Sequence, residues 1–152
     1  MTVDVTKRPQ VESPGPARRS DVLLVEDDEL VRFALRRVLA ANHRPSVAIS
    51  SVEEAQQVLT VHRPSLVLTD YNLAGHWTGI DLVLWMRRQA WLRDVPAVLM
   101  TGGDVAEVRE RLTAVGLDRL EVIAKPFEPA DLIAALDRAS NAPDPQATGR
   151  SR

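Results

Sequence analysis

Short apolar runs alternate along this chain with segments in which apolar residues recur every three or four positions. The runs are mostly aliphatic and β-branched and end at polar residues, which predicts strands buried on both faces. They occupy residues 22–25, 46–50, 65–70, 95–101 and 120–124. The amphipathic segments between and after them predict five helices, each with one apolar face. These segments cover about residues 30–39, 53–62, 80–91, 105–115 and 129–140.

The first predicted helix shows which side chains we expect in the core. Its apolar positions recur at spacings of three and four, so they should face the sheet while the arginines lie on the opposite side. The apolar set is Leu30, Val31, Ala34, Leu35, Val38 and Leu39, and the arginines are Arg32, Arg36 and Arg37. Farther along, the third helix is expected to end near Trp91, and Pro96 to lie near the start of the fourth strand, where a missing N–H is tolerated.

Strict alternation of strand and helix indicates an α/β fold, a doubly wound parallel sheet with helices on both faces. The chain of 152 residues, 45% of them hydrophobic, has room for one core of ordinary size. We assign the folded domain to residues 21–140 and predict disordered tails at residues 1–20 and 141–152, which cannot bury an apolar face. Because so little sequence follows the domain, we expect a stand-alone domain without an effector domain.

Charge and cysteine content exclude several functions. The chain has 19 Lys and Arg against 21 Asp and Glu, a net charge of -2, which gives no electrostatic basis for direct nucleic-acid or anionic-membrane binding. It has no cysteine, so disulfides, thiolate metal sites and cysteine nucleophiles are excluded. We find neither a signal peptide nor a run long enough to span a bilayer. These features predict a cytoplasmic protein.

Polar residues follow four of the predicted strands. Glu26 and Asp27 follow the first strand, Asp70 ends the third, Thr101 ends the fourth and Lys125 follows the fifth. Because the carboxyl ends of parallel strands share one edge, these side chains are expected to converge on one crevice. Three carboxylates repel one another, and Mg²⁺, which prefers oxygen ligands, would relieve that repulsion and orient a phosphoryl group. Asp70 is then a nucleophile that becomes an aspartyl phosphate.

Four motifs in this order resemble the receiver domain of two-component response regulators over about residues 20 to 140: LLVEDDEL, LVLTDYNL, VLMTGG and VIAKPF. The resemblance implies a flavodoxin-like five-stranded sheet with strand order 2-1-3-4-5 and five helices. It implies phosphorylation of Asp70, with Thr101 following the phosphoryl group and Lys125 pairing with it. The implied Mg²⁺ site comprises Glu26, Asp27 as a direct ligand, Asp70 and the backbone carbonyl of Asn72.

The resemblance also implies partners and an output. A sensor histidine kinase, a hybrid kinase or a phosphotransfer protein would donate the phosphoryl group, and a second copy of the chain is a further candidate partner. The protein would be a phosphorylated switch rather than an enzyme, with at most slow self-phosphorylation from small donors and autodephosphorylation. Its output would be partner binding, phosphotransfer to another histidine-bearing protein, or service as a phosphate sink.

Three features depart from the usual receiver pattern. The loop after Asp70 has one extra residue, with Ala74 in place of a proline and Gly79 one position late. Val122 replaces an aromatic residue, so we expect switching to proceed through Thr101 and backbone shifts. At the turn after Thr101, Gly103 lacks a side chain, which predicts less obstructed access of water to the phosphoryl group.

Other functions remain open from the sequence. The acidic run at residues 26–29 also fits a helix N-terminus, where Asp28 would cap and Glu29 would favour the helix dipole. An aspartyl-phosphate phosphatase would need a second acid two residues after Asp70, but that position is Asn72, which can neither donate nor accept a proton as a catalyst. A receiver-like interaction module that works without phosphorylation is the remaining alternative.

Overall fold

The computed structural model describes residues 21–141, and the tails predicted outside the domain lie beyond these residues except for Asn141, the last residue of the final helix. Within this range five strands alternate with five helices. The strands are β1 (Val22–Val25), β2 (Ser46–Ile49), β3 (Leu66–Asp70), β4 (Ala97–Thr101) and β5 (Glu121–Ala124). The helices are α1 (Glu29–Ala41), α2 (Val52–Val61), α3 (Gly79–Arg88), α4 (Val105–Ala114) and α5 (Pro129–Asn141).

The five strands form one parallel sheet in the order β2-β1-β3-β4-β5. This confirms the predicted fold class and strand order. Asp70, at the end of β3, pairs in register with Met100 of β4, and Val25, at the end of β1, pairs with Thr69. The carboxyl ends of the three central strands therefore lie side by side.

Successive strand residues contribute to two apolar layers, one on each face of the sheet. Leu23 and Val25 join the layer that includes buried residues of α2, α3 and α4. Val22 and Leu24 join the layer that includes buried residues of α1 and α5. Because the central strands β1, β3 and β4 are buried between the two helix layers at every residue, they are continuous apolar runs in the sequence rather than alternating ones.

Helix α1 presents a narrower apolar face to the sheet than the sequence predicts. Leu35 and Leu39 are buried, whereas Leu30 is 80% exposed and Ala34 is also exposed. Successive residues of a helix are about 100° apart around its axis. When the helix face centred on Leu35 and Leu39 is turned towards the sheet, Leu30 and Ala34 therefore lie to the side of that face. The prediction that Leu30 and Ala34 face the core is wrong.

The segment between α3 and β4 differs from the prediction by a few residues. Helix α3 ends at Arg88, with Gln89 as its C-cap, and does not continue to Trp91. The chain then makes turns in which the Leu92 N–H donates to the Gln89 carbonyl, and β4 begins after Pro96. None of the helices within residues 21–141 is both long and apolar enough to cross a membrane.

Candidate functional site

The carboxyl edge of the sheet brings together the acidic residues and the lysine that the sequence predicts for one crevice. Asp70 is the last residue of β3, Glu26 and Asp27 follow β1 on one side, and Thr101 ends β4 on the other. Lys125 follows β5, and its backbone N–H donates to the carbonyl of Thr101 at 2.7 Å.

Glu26, Asp27 and Asp70 form a compact acidic cluster. Each contributes one carboxylate oxygen, and the three oxygens lie within 4.8 Å of one another. Their environments differ, because Glu26 is 1% exposed and Asp70 8% exposed, whereas Asp27 lies at the surface. The cluster thus joins buried negative charge to a solvent-accessible opening.

Lys125 is the cation that two of these carboxylates share. Its Nζ donates to Oε1 of Glu26 at 2.7 Å and to Oδ2 of Asp70 at 3.2 Å. Burial by itself lowers the pKa of Lys125, but the interactions with Glu26 and Asp70 outweigh burial and raise that pKa above its usual value. Lys125 is therefore fully charged at neutral pH and partly offsets the negative charge of the cluster.

Glu26 is the most buried of the three acids, and burial raises its pKa. The hydrogen bond from Lys125 opposes this shift, while the nearby charge of Asp70 adds to it. Its second oxygen accepts from the backbone N–H of Asp28 at 3.3 Å. A neighbouring cation therefore stabilises the ionised form of Glu26.

The acidic run at residues 26–29 divides into two roles. Asp28 is the N-cap of α1, and its Oδ1 accepts from the backbone N–H groups of Leu30 and Val31 at 2.9 and 3.2 Å. Glu29 lies in the first turn of the helix. Asp28 and Glu29 therefore serve the N-terminus of α1, whereas Glu26 and Asp27 belong to the acidic cluster.

Thr101 has a buried hydroxyl next to the turn that leads to α4. The residue is 1% exposed, and its Oγ1 accepts from the backbone N–H of Gly103 at 3.0 Å. A hydroxyl that accepts one hydrogen bond still has its own proton to donate.

The loop from β3 to α3 lies beside the acidic cluster. Asn72 is exposed in this loop. The backbone N–H of Ala74 donates to Oδ2 of Asp27 at 3.1 Å, so the loop contacts one of the three acids directly. The loop ends at a capping box in which the Thr78 hydroxyl accepts from the Asp81 N–H and the Asp81 carboxylate accepts from the Thr78 N–H.

Two features of this region were not predicted from the sequence. A Cβ atom on Gly79 would lie 2.3 Å from the backbone carbonyl oxygen of Asp70, so α3 starts at a residue that must lack a side chain. Tyr71 is buried, and its hydroxyl accepts from Arg111 of α4 at 2.5 Å. The turn-forming position of Gly79 hints at the first feature, but nothing in the sequence connects Tyr71 to a residue in α4.

The geometry of this site agrees with a family assignment. The family model of the response regulator receiver domain matches residues 22–137, which is most of the chain. The chain belongs to the receiver-domain family. The match confirms the resemblance to receiver domains that the four sequence motifs indicate.

Curated relatives include the phosphate regulon transcriptional regulatory protein PhoB of Escherichia coli K12. It is 33% identical over 120 residues, which cover 79% of this chain and 50% of PhoB. The chain therefore spans about half the length of this relative. The two-component response regulator ORR3 of Oryza sativa subsp. japonica is 27% identical over 118 residues, which cover 77% of this chain and 88% of ORR3.

A solved structure shares the fold. The receiver domain of sensor histidine kinase PA1611 from Pseudomonas aeruginosa PAO1, which has a magnesium ion coordinated in its active-site cleft, superposes with a TM-score of 0.70. It is 24% identical, and the match covers 80% of this chain and 97% of that one. At this identity the similarity shows the fold alone.

Proposed function

We propose that this receiver domain accepts a phosphoryl group on the carboxylate of Asp70 and acts as a switch in a two-component or phosphorelay system. The donor is the phosphohistidine of a sensor histidine kinase, a hybrid kinase or a phosphotransfer protein. The phosphorylated form signals by partner binding or by passing the group on. The observation that carries this proposal is the surroundings of Asp70. Its Oδ2 lies 3.2 Å from Lys125 Nζ, and one of its carboxylate oxygens lies within 4.8 Å of an oxygen of Glu26 and an oxygen of Asp27.

The residues around Asp70 suit the transfer reaction. An oxygen of Asp70 attacks phosphorus, the P–N bond to histidine breaks and the imidazole nitrogen leaves with the bonding electrons. Lys125 holds Oδ2 of Asp70 and supplies a fixed positive charge beside the incoming group. The Thr101 hydroxyl, whose oxygen already accepts from Gly103, directs its proton to a phosphoryl oxygen.

The donor set of the acidic cluster fits Mg²⁺. Three carboxylate oxygens within 4.8 Å of one another match the oxygen ligands that this hard cation prefers, and Lys125 alone balances only part of their charge. Glu26, Asp27, Asp70 and the backbone carbonyl of Asn72 are the groups that would hold the ion. When bound, Mg²⁺ supplies positive charge that neutralises the oxygens of the transferred group.

Asn72 favours a switch over a phosphatase. An amide cannot act as a general acid or base, so no side chain two residues after Asp70 promotes rapid hydrolysis of the acyl phosphate. The phosphoryl group then persists long enough to be read by a partner.

Acetyl phosphate with Mg²⁺, followed by intact-mass measurement, tests the proposal. We expect the wild-type chain to gain one phosphoryl group and Asp70→Asn to gain none. Asp118→Asn is the matched control, because Asp118 is an exposed carboxylate that precedes β5 at the opposite edge of the sheet, and this variant should be modified like the wild type. A wild-type chain that is modified neither by this donor nor by a histidine kinase would contradict the proposal and favour a phosphorylation-independent module.

A further inference from the structure

Tyr71 connects the phosphoacceptor strand to its surroundings through both its backbone and its side chain. It directly follows Asp70, its N–H donates to the carbonyl of Met100 at 2.7 Å, and its own carbonyl accepts from Gly79 at 2.9 Å. The side chain is 9% exposed and belongs to the apolar layer that includes Val108 of α4. A displacement of the chain at Asp70 therefore reaches the Tyr71 ring directly.

Arg111 of α4 contacts both the hydroxyl and the ring of Tyr71. Its Nη1 donates to the Tyr71 hydroxyl at 2.5 Å, and its guanidinium carbon lies 5.9 Å from the centroid of the ring. Both a hydrogen bond to a charged donor and a cation–π contact join the two residues. Nη2 of Arg111 also lies 3.9 Å from Oε1 of Glu107 on the exposed face of α4. The chain of contacts thus runs from the neighbour of Asp70 to the outer surface of α4.

Helix α4 is also connected to the site by its other end. It starts at Val105, four residues after Thr101, and Gly102 and Gly103 lie between. Two glycines have no side chains to restrain the backbone, so a shift of Thr101 is absorbed or passed on by a short, adaptable turn. Arg111 lies about one and a half turns into α4. Its contact with Tyr71 therefore restrains the helix at a point that the flexible glycine turn does not restrain.

We propose that the Tyr71–Arg111 contact is a latch that holds α4 in the unphosphorylated arrangement and opens when Asp70 is phosphorylated. This inference rests on the proposed function and assigns a regulatory element to the same site. In the unmodified chain the latch keeps α4 next to Tyr71, the residue that follows β3. Phosphorylation moves Thr101 towards the phosphoryl group, draws the start of α4 with it, and separates Arg111 from the Tyr71 hydroxyl.

The latch makes a reciprocal prediction. A contact that exists only in the unphosphorylated arrangement opposes the binding of a phosphoryl group, so its removal must favour that binding. A contact that merely supports the fold has the opposite effect or none, because its loss weakens the protein without improving the site. The affinity for a phosphoryl mimic therefore distinguishes a latch from a structural contact.

Beryllium trifluoride with Mg²⁺ is the probe, and calorimetry measures its affinity. We expect Tyr71→Phe, which keeps the ring and loses the hydroxyl, and Arg111→Gln to bind the mimic about fivefold more tightly than wild type, equivalent to ~1 kcal/mol. The double variant should gain no more than either single variant, because both remove the same contact. Arg109→Gln, an exposed arginine on the same helix, is the control and should bind like wild type.

The chain has one tyrosine, so incorporated 3-fluorotyrosine gives a single ¹⁹F protein resonance from Tyr71. We expect the mimic to move this resonance in the wild type towards the position that Arg111→Gln shows without the mimic. A wild-type chain that binds no mimic would overturn the proposed function and the latch together. Binding with unchanged affinity in both single variants, or a resonance that stays in place on binding, would overturn the latch alone.

Discussion

Lys125 partly neutralises the negative charge of the acidic cluster. It contacts the buried carboxylate of Glu26 and the nearly buried carboxylate of Asp70. Without Lys125, the carboxylates of Glu26 and Asp70 would repel each other at the sheet edge with no ammonium group between them. Removal of one partner from such a group is costlier than the net contribution of the pair, because the remaining charges stay out of water.

We expect Lys125→Met to lower the free energy of unfolding by about 2 kcal/mol at pH 8 without divalent cations, because the lysine is partly exposed and its loss is partly compensated by solvent. Urea denaturation measures the change, and Arg88→Met, at an exposed position of α3, is the control. A loss no larger than that of the control would show that the two contacts contribute nothing to stability.

The stability difference between wild type and Lys125→Met should depend on pH with a defined sign. The pKa of Lys125 is raised above 10.5, so its contribution is complete below pH 10.5 and disappears as the pH rises through the raised value. Burial raises the pKa of Glu26 above 4.5, so acidification protonates Glu26 and also reduces the difference. Denaturation across this range should therefore give the largest difference between these limits, and a constant difference would contradict the assignment.

Gly103, whose N–H donates to the hydroxyl oxygen of Thr101, has no side chain that could obstruct water near that residue. A Cβ atom there would lie 3.6 Å from Thr101 Oγ1, an ordinary contact, so a side chain fits without distortion. We expect Gly103→Arg to slow the hydrolysis of phosphorylated Asp70 several-fold by obstructing water, as measured by the decay of the phosphorylated mass. Gly102→Arg, with open space around its Cβ, is the comparison. Equal decay rates in Gly103→Arg and wild type would refute the role of the missing side chain.

At the scale of elements, the sequence predicts what depends on burial and order along the chain. Strands covered by helices on both faces must be continuous apolar runs, so β1, β3 and β4 are visible in the sequence. Their order then places polar residues at one edge of the sheet. The orientation of α1 was less predictable, because Leu30 and Leu35 look alike in an apolar pattern and differ only in their angle to the sheet.

Contacts that depend on loop shape were beyond the reach of the sequence. Tyr71 and Arg111 are 40 residues apart, and their contact depends on where α4 lies relative to the residue that follows β3. The reason for Gly79 is likewise spatial, because a Cβ atom at this position would collide with the carbonyl oxygen of Asp70. Periodicity describes faces of an element, whereas these contacts join the ends of different elements.

Gly79 provides a test of how tightly α3 is set against the acceptor strand. Gly79→Ala would place a Cβ atom 2.3 Å from the Asp70 carbonyl oxygen and 2.7 Å from Leu99 Cδ1, and a backbone atom cannot move aside like a flexible side chain. We expect a loss of about 2 to 3 kcal/mol in unfolding free energy. Gly75→Ala is a useful comparison, since its Cβ meets nothing but the left-handed φ of 101° imposes strain of its own.

If thermal and urea denaturation show Gly79→Ala to be as stable as the wild type, α3 does not pack against Asp70 as described. A variant that is destabilised but still accepts a phosphoryl group at the wild-type rate would separate the packing role of Gly79 from the geometry of the site.

For the whole molecule, the proposed Mg²⁺ site in the acidic cluster would link cation binding to folding. A cation that binds the folded chain alone stabilises it by mass action, by about 2.7 kcal/mol at a concentration 100 times the dissociation constant. We expect Mg²⁺ to raise the melting temperature of the wild type and not that of Asp27→Asn, which removes one exposed carboxylate from the cluster. Asp118→Asn should respond like the wild type, and an equal rise in Asp27→Asn would place the cation elsewhere.

Asp70 is the one carboxylate of this receiver domain that we propose as the phosphoryl acceptor. Borohydride reduces an acyl phosphate to an alcohol, so it marks the phosphorylated aspartate permanently as homoserine. After treatment with acetyl phosphate and Mg²⁺, reduction and peptide sequencing by mass spectrometry should find homoserine at position 70 and nowhere else. Homoserine at position 27 or in place of another carboxylate, with Asp70 intact, would contradict the proposed role of Asp70.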